Sequence, residues 1–186
     1  LQAVGPNTVE ERSGLPSNVY IAAADEFPAD AFNLPGFESS GSRIVGAFAR
    51  QHGAQVPDRL VASAKSWLCS TQIDHRQPIL PWQSTSVTDK LSPIDATRLY
   101  LEHLAYGFTA AGQAVGSDWS IENTNVILTV PASFDEVARS LTYEAAEAAG
   151  LGSVTLMEEP QAAFYAWLSQ ACADWRKAVS TGDIIL

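Results

Sequence analysis

Two stretches, Asn125-Val-Ile-Leu-Thr-Val-Pro-Ala-Ser-Phe134 and Leu156-Met-Glu-Glu-Pro-Gln-Ala-Ala163, decide the fold of this chain. The first is an apolar strand that ends at Pro131, and the second is a short strand followed by an acidic turn that opens a helix. The segment between them has helical character and ends on Ala149-Gly150-Leu151. This order predicts a β-α-β-α unit, and α/β folds place their ligand sites at the strand ends of such units.

The unit has sequence signals at each of its boundaries. Residues 123–130 are predicted to be a strand buried on both faces, because the Val-Ile-Leu-Thr-Val run is unbroken. Ser133-Phe-Asp-Glu136 fits a capping box for a helix that ends at Gly150. A strand over 153–157 then leads to a long helix that Pro160 opens. Six residues form the predicted apolar side of that helix: Ala163, Phe164, Trp167, Leu168, Ala171 and Trp175.

The region before the unit is predicted to alternate between loops and short elements. The predicted segments are an irregular lead-in (1–16), a strand (17–24), a loop (25–42), a helix (42–52) with Gly53 as its C-cap, a helix that starts at Pro57 and carries Leu60, Val61, Ala64, Trp67 and Leu68 on one face, an irregular arm (70–92), and a helix that starts at Ser92-Pro93 and ends near Ala114.

Composition limits the classes of function. The 186 residues include 11 basic and 21 acidic side chains, a net charge of −10, and 46% hydrophobic residues. The hydrophobic share is enough for a core, whereas the acidic balance argues against nucleic-acid and anionic-membrane binding, because both need clustered Lys and Arg. No apolar run approaches the roughly 20 residues of a membrane span, and no signal peptide leads the chain. A cytoplasmic protein is therefore expected.

The cysteines and the chain ends complete these limits. Cys69 and Cys172 are too few for a disulfide framework and are predicted to be reduced, half-buried helix residues. The chain begins without Met, and Gly182-Asp-Ile-Ile-Leu186 reads as a turn into a strand that stops as it begins. A piece of a longer protein is expected, because a strand needs its full length to pair.

Glu158 and Glu159 are the most informative candidate site residues. The common G-x-x-x-x-G-K-[ST], G-x-G-x-x-G and G-x-S-x-G motifs are absent from the sequence. The two glutamates lie at a strand-to-helix junction, and two interpretations stay open for them. Either they compensate a helix dipole, or one of them holds a water or a hydrated Mg²⁺ near a phosphate.

The other candidates also have an ordinary interpretation. Lys65 is either a surface lysine whose stem covers apolar neighbours, or a positive charge that orients phosphate oxygens and an attacking water. Pro131 ends its strand and stiffens the turn, and Arg139 is expected on the solvent side of the next helix. The three histidines (residues 52, 75 and 103) have no Cys or His at metal-ligand spacing and are assigned packing or surface roles. The five tryptophans (residues 67, 82, 119, 167 and 175) are assigned to the core and to helix packing, since a base-stacking platform would want basic neighbours.

These segments together resemble the ATPase domain of the seventy-kilodalton heat-shock chaperone family (DnaK-like), over most of residues 15–168. The resemblance is carried by residues 125–139 (V-I-T-V-P-A-x-F-x-x-x-x-R in the family), 145–151 (A-x-x-A-G-L), 157–163 (N-E-P-T-A-A), 45–49 (V-G-x-x-A), 15–20 (the early T-P-S-x-x strand) and 59–68 (the helix of the catalytic lysine).

The resemblance implies an α/β, actin-like ATPase fold (ribonuclease H-like) with two lobes, of which this chain would be most of lobe I. Residues 1–24 and 106–186 would form its core subdomain, and residues 25–105 an inserted peripheral subdomain. The intact protein would be a stress-response chaperone in protein folding, which binds ATP and Mg²⁺, hydrolyses ATP, and acts on client polypeptides with co-chaperones through regions outside this chain.

The resemblance also implies roles for four residues. Lys65 would help to place the attacking water at the γ-phosphate, and Glu159 would be the acid near the metal and the water, touching the metal only through water. Pro131 and Arg139 would relay the nucleotide state to a partner domain. The family's D-x-G-T-x and D-x-G-G-G-T phosphate loops are absent from these 186 residues. The piece alone is therefore expected to hold no cofactor and to be inactive.

Three departures from the family pattern keep an alternative open, and one of them is the peripheral region with its 70–92 arm. Gln161 stands where the family has Thr after Glu-Pro, and Ser133 stands where it has an aromatic residue after Pro-Ala. A divergent bacterial member is expected, and the alternative is a catalytically silent actin-like module used for protein–protein binding. A sugar kinase or filament protein of the same fold fits the architecture but not the two deciding stretches.

Overall fold

The computed structural model describes residues 1–38 and 42–184 and shows a mixed α/β arrangement with three small sheets within those residues. The strands are β1 (Gln2–Gly5), β2 (Thr8–Glu10), β3 (Asn18–Ile21), β4 (Arg43–Val45), β5 (Leu60–Ala62), β6 (Val126–Val130) and β7 (Val154–Glu158). The α-helices are α1 (Ala47–Gly53), α2 (Ala64–Trp67), α3 (Pro93–Ala114), α4 (Glu136–Ala148), α5 (Glu159–Ala171) and α6 (Trp175–Ala178). Single 3-10 turns cover Pro57–Arg59, Ile121–Asn123 and Cys172–Asp174.

The predicted β-α-β-α unit is present. Strands β6 and β7 pair in parallel, from Val126 opposite Val154 to Val130 opposite Glu158. Helix α4 is the crossover between them. The prediction that β6 is buried on both faces is wrong, because its residues alternate between more and less buried and Ile127 is 61% exposed. Successive side chains of a strand point to opposite faces, and only the face that packs against α3 and α4 belongs to the core.

The cap of α4 differs from the prediction. The residue that caps this helix is Asp135, whose Oδ1 accepts a hydrogen bond from the backbone N–H of Ala138 at 2.8 Å. Ser133 is exposed and lies in a turn in which the N–H of Phe134 donates to the carbonyl of Pro131 at 3.0 Å. That turn delays the helix start by two residues. The predicted stop is confirmed, since Gly150 follows the helix with φ +74°.

The first fifty residues contain more strand than predicted. The lead-in over 1–16 holds the β1–β2 hairpin, and the helix predicted over 42–52 is strand β4 followed by helix α1. Gly46, with φ +92°, makes the sharp change between these two elements. Gly53 is the last residue of α1, and the C-cap position is taken by Ala54.

The single helix predicted from Pro57 is also wrong. The chain instead forms a 3-10 turn, strand β5 and the short helix α2, and Ser63 separates the last two with a left-handed φ of +58°. The apolar residues of this segment fit a helical period. However, Val61 is buried opposite Val19, where β5 pairs antiparallel with β3. Sheet pairing therefore overrides the local pattern.

Strand β3 forms the centre of the upstream sheet, between β4 and β5. It is shorter than the predicted 17–24, and Val19 and Tyr20 in it are fully buried. The 70–92 arm is irregular, as predicted, and Leu80 near its middle exchanges backbone hydrogen bonds of 2.9 and 2.8 Å with Leu91 near its end. The predicted start of α3 is confirmed, because Ser92 Oγ accepts from the N–H of Asp95 at 3.0 Å.

The C-terminal segment is less buried than predicted. No residue of α5 is buried, and Trp175 belongs to the separate helix α6.

Cys69 and Cys172 are free thiols, but both are exposed and lie outside the α-helices. Parts of two predictions, residues 39–41 of the loop and 185–186 of the last strand, lie outside the described residues. No helix in the described part of the chain combines the length and apolar character that crossing a membrane requires.

Candidate functional site

The ends of β6 and β7 lie side by side and carry the predicted site residues. Val130 is the Cα partner of Glu158, so Pro131 and Glu159 are the next residues along each strand. Both strands run in the same direction, and their carboxyl ends therefore share one edge of the sheet. This is the position at which open α/β sheets bind ligands.

Lys65 reaches this edge from a distant part of the sequence. Its Nζ forms an ion pair with Glu159 Oε1, and the side chains are 49% and 45% exposed. Helix α2 buries Ala64, and Leu68 directly after it is buried too, whereas Lys65 is exposed. The structure thus brings together the two residues to which the family resemblance assigns catalysis.

Arg139 is not the free surface arginine that was expected. Its Nη2 donates to Glu158 Oε1 at 2.8 Å, and its Nε donates to the carbonyl of Phe134 at 3.2 Å. Phe134 also donates its own N–H to the half-buried Pro131, so it links the two predicted relay residues. Sequence reasoning missed the linking role of Phe134 and the pairing of Glu158 with Arg139. The sequence signal for this pairing was that two adjacent acids, Glu158 and Glu159, could each pair with a different cation.

Lys65 also lines a cavity of about 160 Å³ between α2, α3, α4 and β6. The cavity walls are mainly apolar, with a few hydroxyl groups: Leu68, Leu101, Leu104, Leu128, Val130 and Phe134, with Ser17, Thr97, Tyr100, Thr129 and Thr142. Burial raises the pKa of Tyr100, so its hydroxyl stays protonated. Apolar walls do not bind phosphate, and only the rim at Lys65 carries a positive charge suited to it.

Cys69 lies close to Lys65, but its chemistry is passive. Burial raises the pKa of its thiol, the charge of Asp135 raises it further, and the charge of Lys65 opposes both. The thiolate is the nucleophilic form of cysteine. Cys69 therefore does not supply an activated nucleophile at this edge.

Comparison with known proteins decides the family. Residues 35–168, more than half of the 186-residue chain, match the family model described as Hsp70 protein. The chain belongs to the Hsp70 family. This confirms the resemblance seen in the sequence. Membership implies an actin-like ATPase fold and ATP binding, and the mixed α/β architecture is compatible with that fold.

Curated relatives of this Hsp70-family chain are bacterial proteins with chaperone names. It is 32% identical over 136 residues to a "Chaperone protein HscA homolog" of Histophilus somni (67% of this chain, 21% of the relative). It is 33% identical over 140 residues to the "Chaperone protein HscA" of Edwardsiella ictaluri (69% and 22%). It is 30% identical over 141 residues to a homolog from Methylobacillus flagellatus (70% and 22%). The chain spans about a fifth of the length of these relatives.

The Hsp70 family implies bound Mg²⁺ and ATP. The residues of this site fit these groups only through indirect contacts. In the described residues, no group of three or more His, Cys, Asp or Glu side chains could hold a metal ion. Mg²⁺ keeps most of its waters and commonly binds through one or two carboxylates and substrate phosphates. The carboxylate of Glu159 is compatible with a water-mediated contact of that kind, and Lys65 with a phosphate oxygen.

Proposed function

We propose that this chain is part of the nucleotide-binding domain of an Hsp70-family chaperone, and that the intact protein binds and hydrolyses ATP to drive a conformational change. The chain would supply most of lobe I of the actin-like fold. Residues 1–24 and 106–186 would form the core subdomain and residues 25–105 the peripheral one. Client polypeptides and co-chaperones would bind regions outside these residues, in the cytoplasm.

The observation that supports this proposal best is the contact of Lys65 with Glu159, which joins residues 94 positions apart at the edge of the parallel sheet. A purely structural ion pair could form anywhere on the surface. A glutamate at the carboxyl end of a parallel strand, paired with a lysine from a neighbouring helix, would supply the two charges that phosphoryl transfer to water needs.

Each residue would have a distinct task. Bound ATP with Mg²⁺ supplies the electrophilic phosphorus and neutralises part of the phosphate charge. The ammonium of Lys65 would orient a phosphate oxygen and the attacking water, and the carboxylate of Glu159 would accept a hydrogen bond from water in the metal's shell. Since the pair is about half exposed, it is worth only about 0–1 kcal/mol, and a phosphate can replace Glu159 as the partner of Lys65.

The relay role of Pro131 and Arg139 belongs to the same proposal. Phe134 contacts both residues through its backbone, so a shift of Pro131 on nucleotide binding would move the first turn of α4. This coupling would pass along hydrogen bonds of one short turn, which is the kind of physical connection that an allosteric path requires.

The test is ATP turnover by the intact protein. Lys65→Ala and Glu159→Gln should each lower single-turnover hydrolysis by about 100-fold or more, because each removes a charge that acts on the transition state. Lys177→Ala, at an exposed lysine of α6, is the matched control and should leave turnover unchanged. Unchanged turnover in Lys65→Ala would remove Lys65 from the mechanism. A wild-type protein that neither binds nor hydrolyses ATP would favour the catalytically silent binding module.

A further inference from the structure

We infer that Glu158 is a positioning residue, which holds Arg139 across the turn that leads into α4 and so fixes the strand-end edge beside Lys65 and Glu159. The inference rests on the proposed function for its effect on turnover, but its structural part does not. The Arg139–Glu158 contact and the Arg139–Phe134 contact together are called the clasp below.

The clasp joins two separate turns through one guanidinium. Glu158 is the last residue of β7, and Phe134 belongs to the 131–135 turn that follows β6. Arg139 donates from Nη2 to the first and from Nε to the second, at 2.8 and 3.2 Å. A planar guanidinium can satisfy two acceptors in fixed directions. Moving either turn alone would therefore break one of these two contacts.

The surroundings of Arg139 favour a lasting contact. Its side chain is 23% exposed, against 45% for Glu158, so the cation is partly shielded from water. Arg139 also lies in the first turn of α4, and Asp135 is the N-cap residue directly before that turn. The guanidinium thus fastens the start of α4 to the end of β7.

Two adjacent carboxylates each pair with a different cation at this edge. Glu158 binds Arg139 from α4, and Glu159 binds Lys65 from α2. The family pattern N-E-P-T-A-A has an asparagine at the position of Glu158, so the charged contact follows from this chain's own sequence. Without Arg139, Glu158 would be an unpaired anion next to Glu159 and would compete with it for Lys65. The clasp thereby keeps Glu159 as the acid that faces Lys65.

The structural part is tested by amide hydrogen exchange on the intact protein without nucleotide. Glu158→Gln and Arg139→Gln should each speed exchange in the 131–135 turn by about threefold to fivefold, the effect of losing one partly exposed ion pair. The double variant should be no faster than the single ones, because either change opens the same clasp. Arg139→Lys should not restore protection, since a single ammonium cannot reproduce the two-directional contact.

The control is Glu102→Gln, which breaks the partly exposed Arg98–Glu102 pair of α3 and should leave the 131–135 turn unchanged. Equal exchange in wild type and Glu158→Gln would overturn the clasp, whether or not the protein hydrolyses ATP.

Turnover then tests the positioning role. If the wild type hydrolyses ATP, Glu158→Gln should lower kcat about threefold to fivefold and change KM for ATP less than kcat, because it removes no charge that contacts the nucleotide and only loosens the position of the edge. Faster exchange with an unchanged kcat would overturn the positioning role. A wild type without ATP binding would refute the proposed function, and with it the effect on turnover, while the exchange measurement would still decide the clasp.

Discussion

Lys65 and Glu159 form an ion pair across 94 positions of sequence, between a four-residue helix and the first residue of a thirteen-residue one. Both side chains of the pair are about half exposed to solvent. Water and salt screen such contacts, and holding two long side chains in one geometry costs entropy, so the pair adds little to folding. The proposed ligand binding would account for its position, beside the ends of two parallel strands, better than stability does.

The first prediction separates these two roles of Lys65. Lys65→Met should lower the free energy of unfolding of the intact protein by less than about 1 kcal/mol, and the difference should shrink further in about 1 M salt. Urea denaturation measures it. A loss of about 3 kcal/mol or more would indicate a desolvated pair with a structural role.

The second prediction concerns the acid side of the stability profile. Glu26 accepts hydrogen bonds from the Ala23 N–H at 2.7 Å and the Tyr20 hydroxyl at 2.8 Å, and lies 3.2 Å from His52 Nε2. Burial raises the pKa of Glu26, but these three contacts outweigh burial and hold the pKa below its ordinary value of 4.5. A lowered carboxyl pKa stabilises the fold above the unfolded-state pKa, and this stabilisation is lost as the pH falls through the folded-state pKa.

Wild type should therefore lose stability as the pH falls below 4.5, and Glu26→Gln should lack that part of the loss. Thermal unfolding of both proteins between about pH 3 and pH 7 is the measurement. Parallel curves for the two proteins would show that the Glu26 contacts do not form in solution.

Several element boundaries in the downstream half of the chain could be predicted because their signals are local. The Ser92 cap of α3, the Gly150 stop after α4 and the strand before Glu158 each depend on residues a few positions apart. The outer face of β6 could not be predicted in the same way. A continuous apolar run indicates burial only if some element covers each side, and Ile127 has no such cover in the described residues.

The region around Lys65 shows why local patterns fail. Its apolar residues satisfy a helical period, yet strand β5 forms there because β3 supplies a partner and Ser63 adopts a left-handed conformation. Neither cause is visible within a window of ten residues. The family resemblance assigned catalytic roles to Lys65 and Glu159 but did not predict their ion pair. The Arg139–Glu158 contact was expected from neither source, since it depends on the shape of one turn.

The third prediction compares two buried tyrosines. The Tyr20 hydroxyl donates to Glu26, and burial together with that carboxylate raises the pKa of Tyr20 to about 12. The Tyr100 hydroxyl is buried and has no hydrogen-bond partner in the described part of the chain. Tyr20→Phe should therefore lower the free energy of unfolding by about 1–2 kcal/mol, whereas Tyr100→Phe should be neutral or stabilising. Urea denaturation of the pair is the measurement, and a comparable loss in Tyr100→Phe would reveal a partner for its hydroxyl.

The fourth prediction concerns Gly46, the residue between β4 and α1, and it separates strain from crowding. Its φ is +92°, and an added Cβ would lie 2.6 Å from Leu15 Cδ1 and 2.8 Å from Gln2 Oε1. Gly36 has φ +75° with open space around it, and Gly14 has neither a positive φ nor a close neighbour. Alanine should therefore be nearly neutral at Gly14 and cost about 1–2 kcal/mol at Gly36 from the left-handed backbone alone. It should cost more at Gly46, where the added Cβ would also push Gln2 Oε1 away from the N–H of Ala47 that donates to it. Thermal unfolding of the three variants gives the order, and equal losses at Gly36 and Gly46 would mean that Leu15 and Gln2 move aside at no cost.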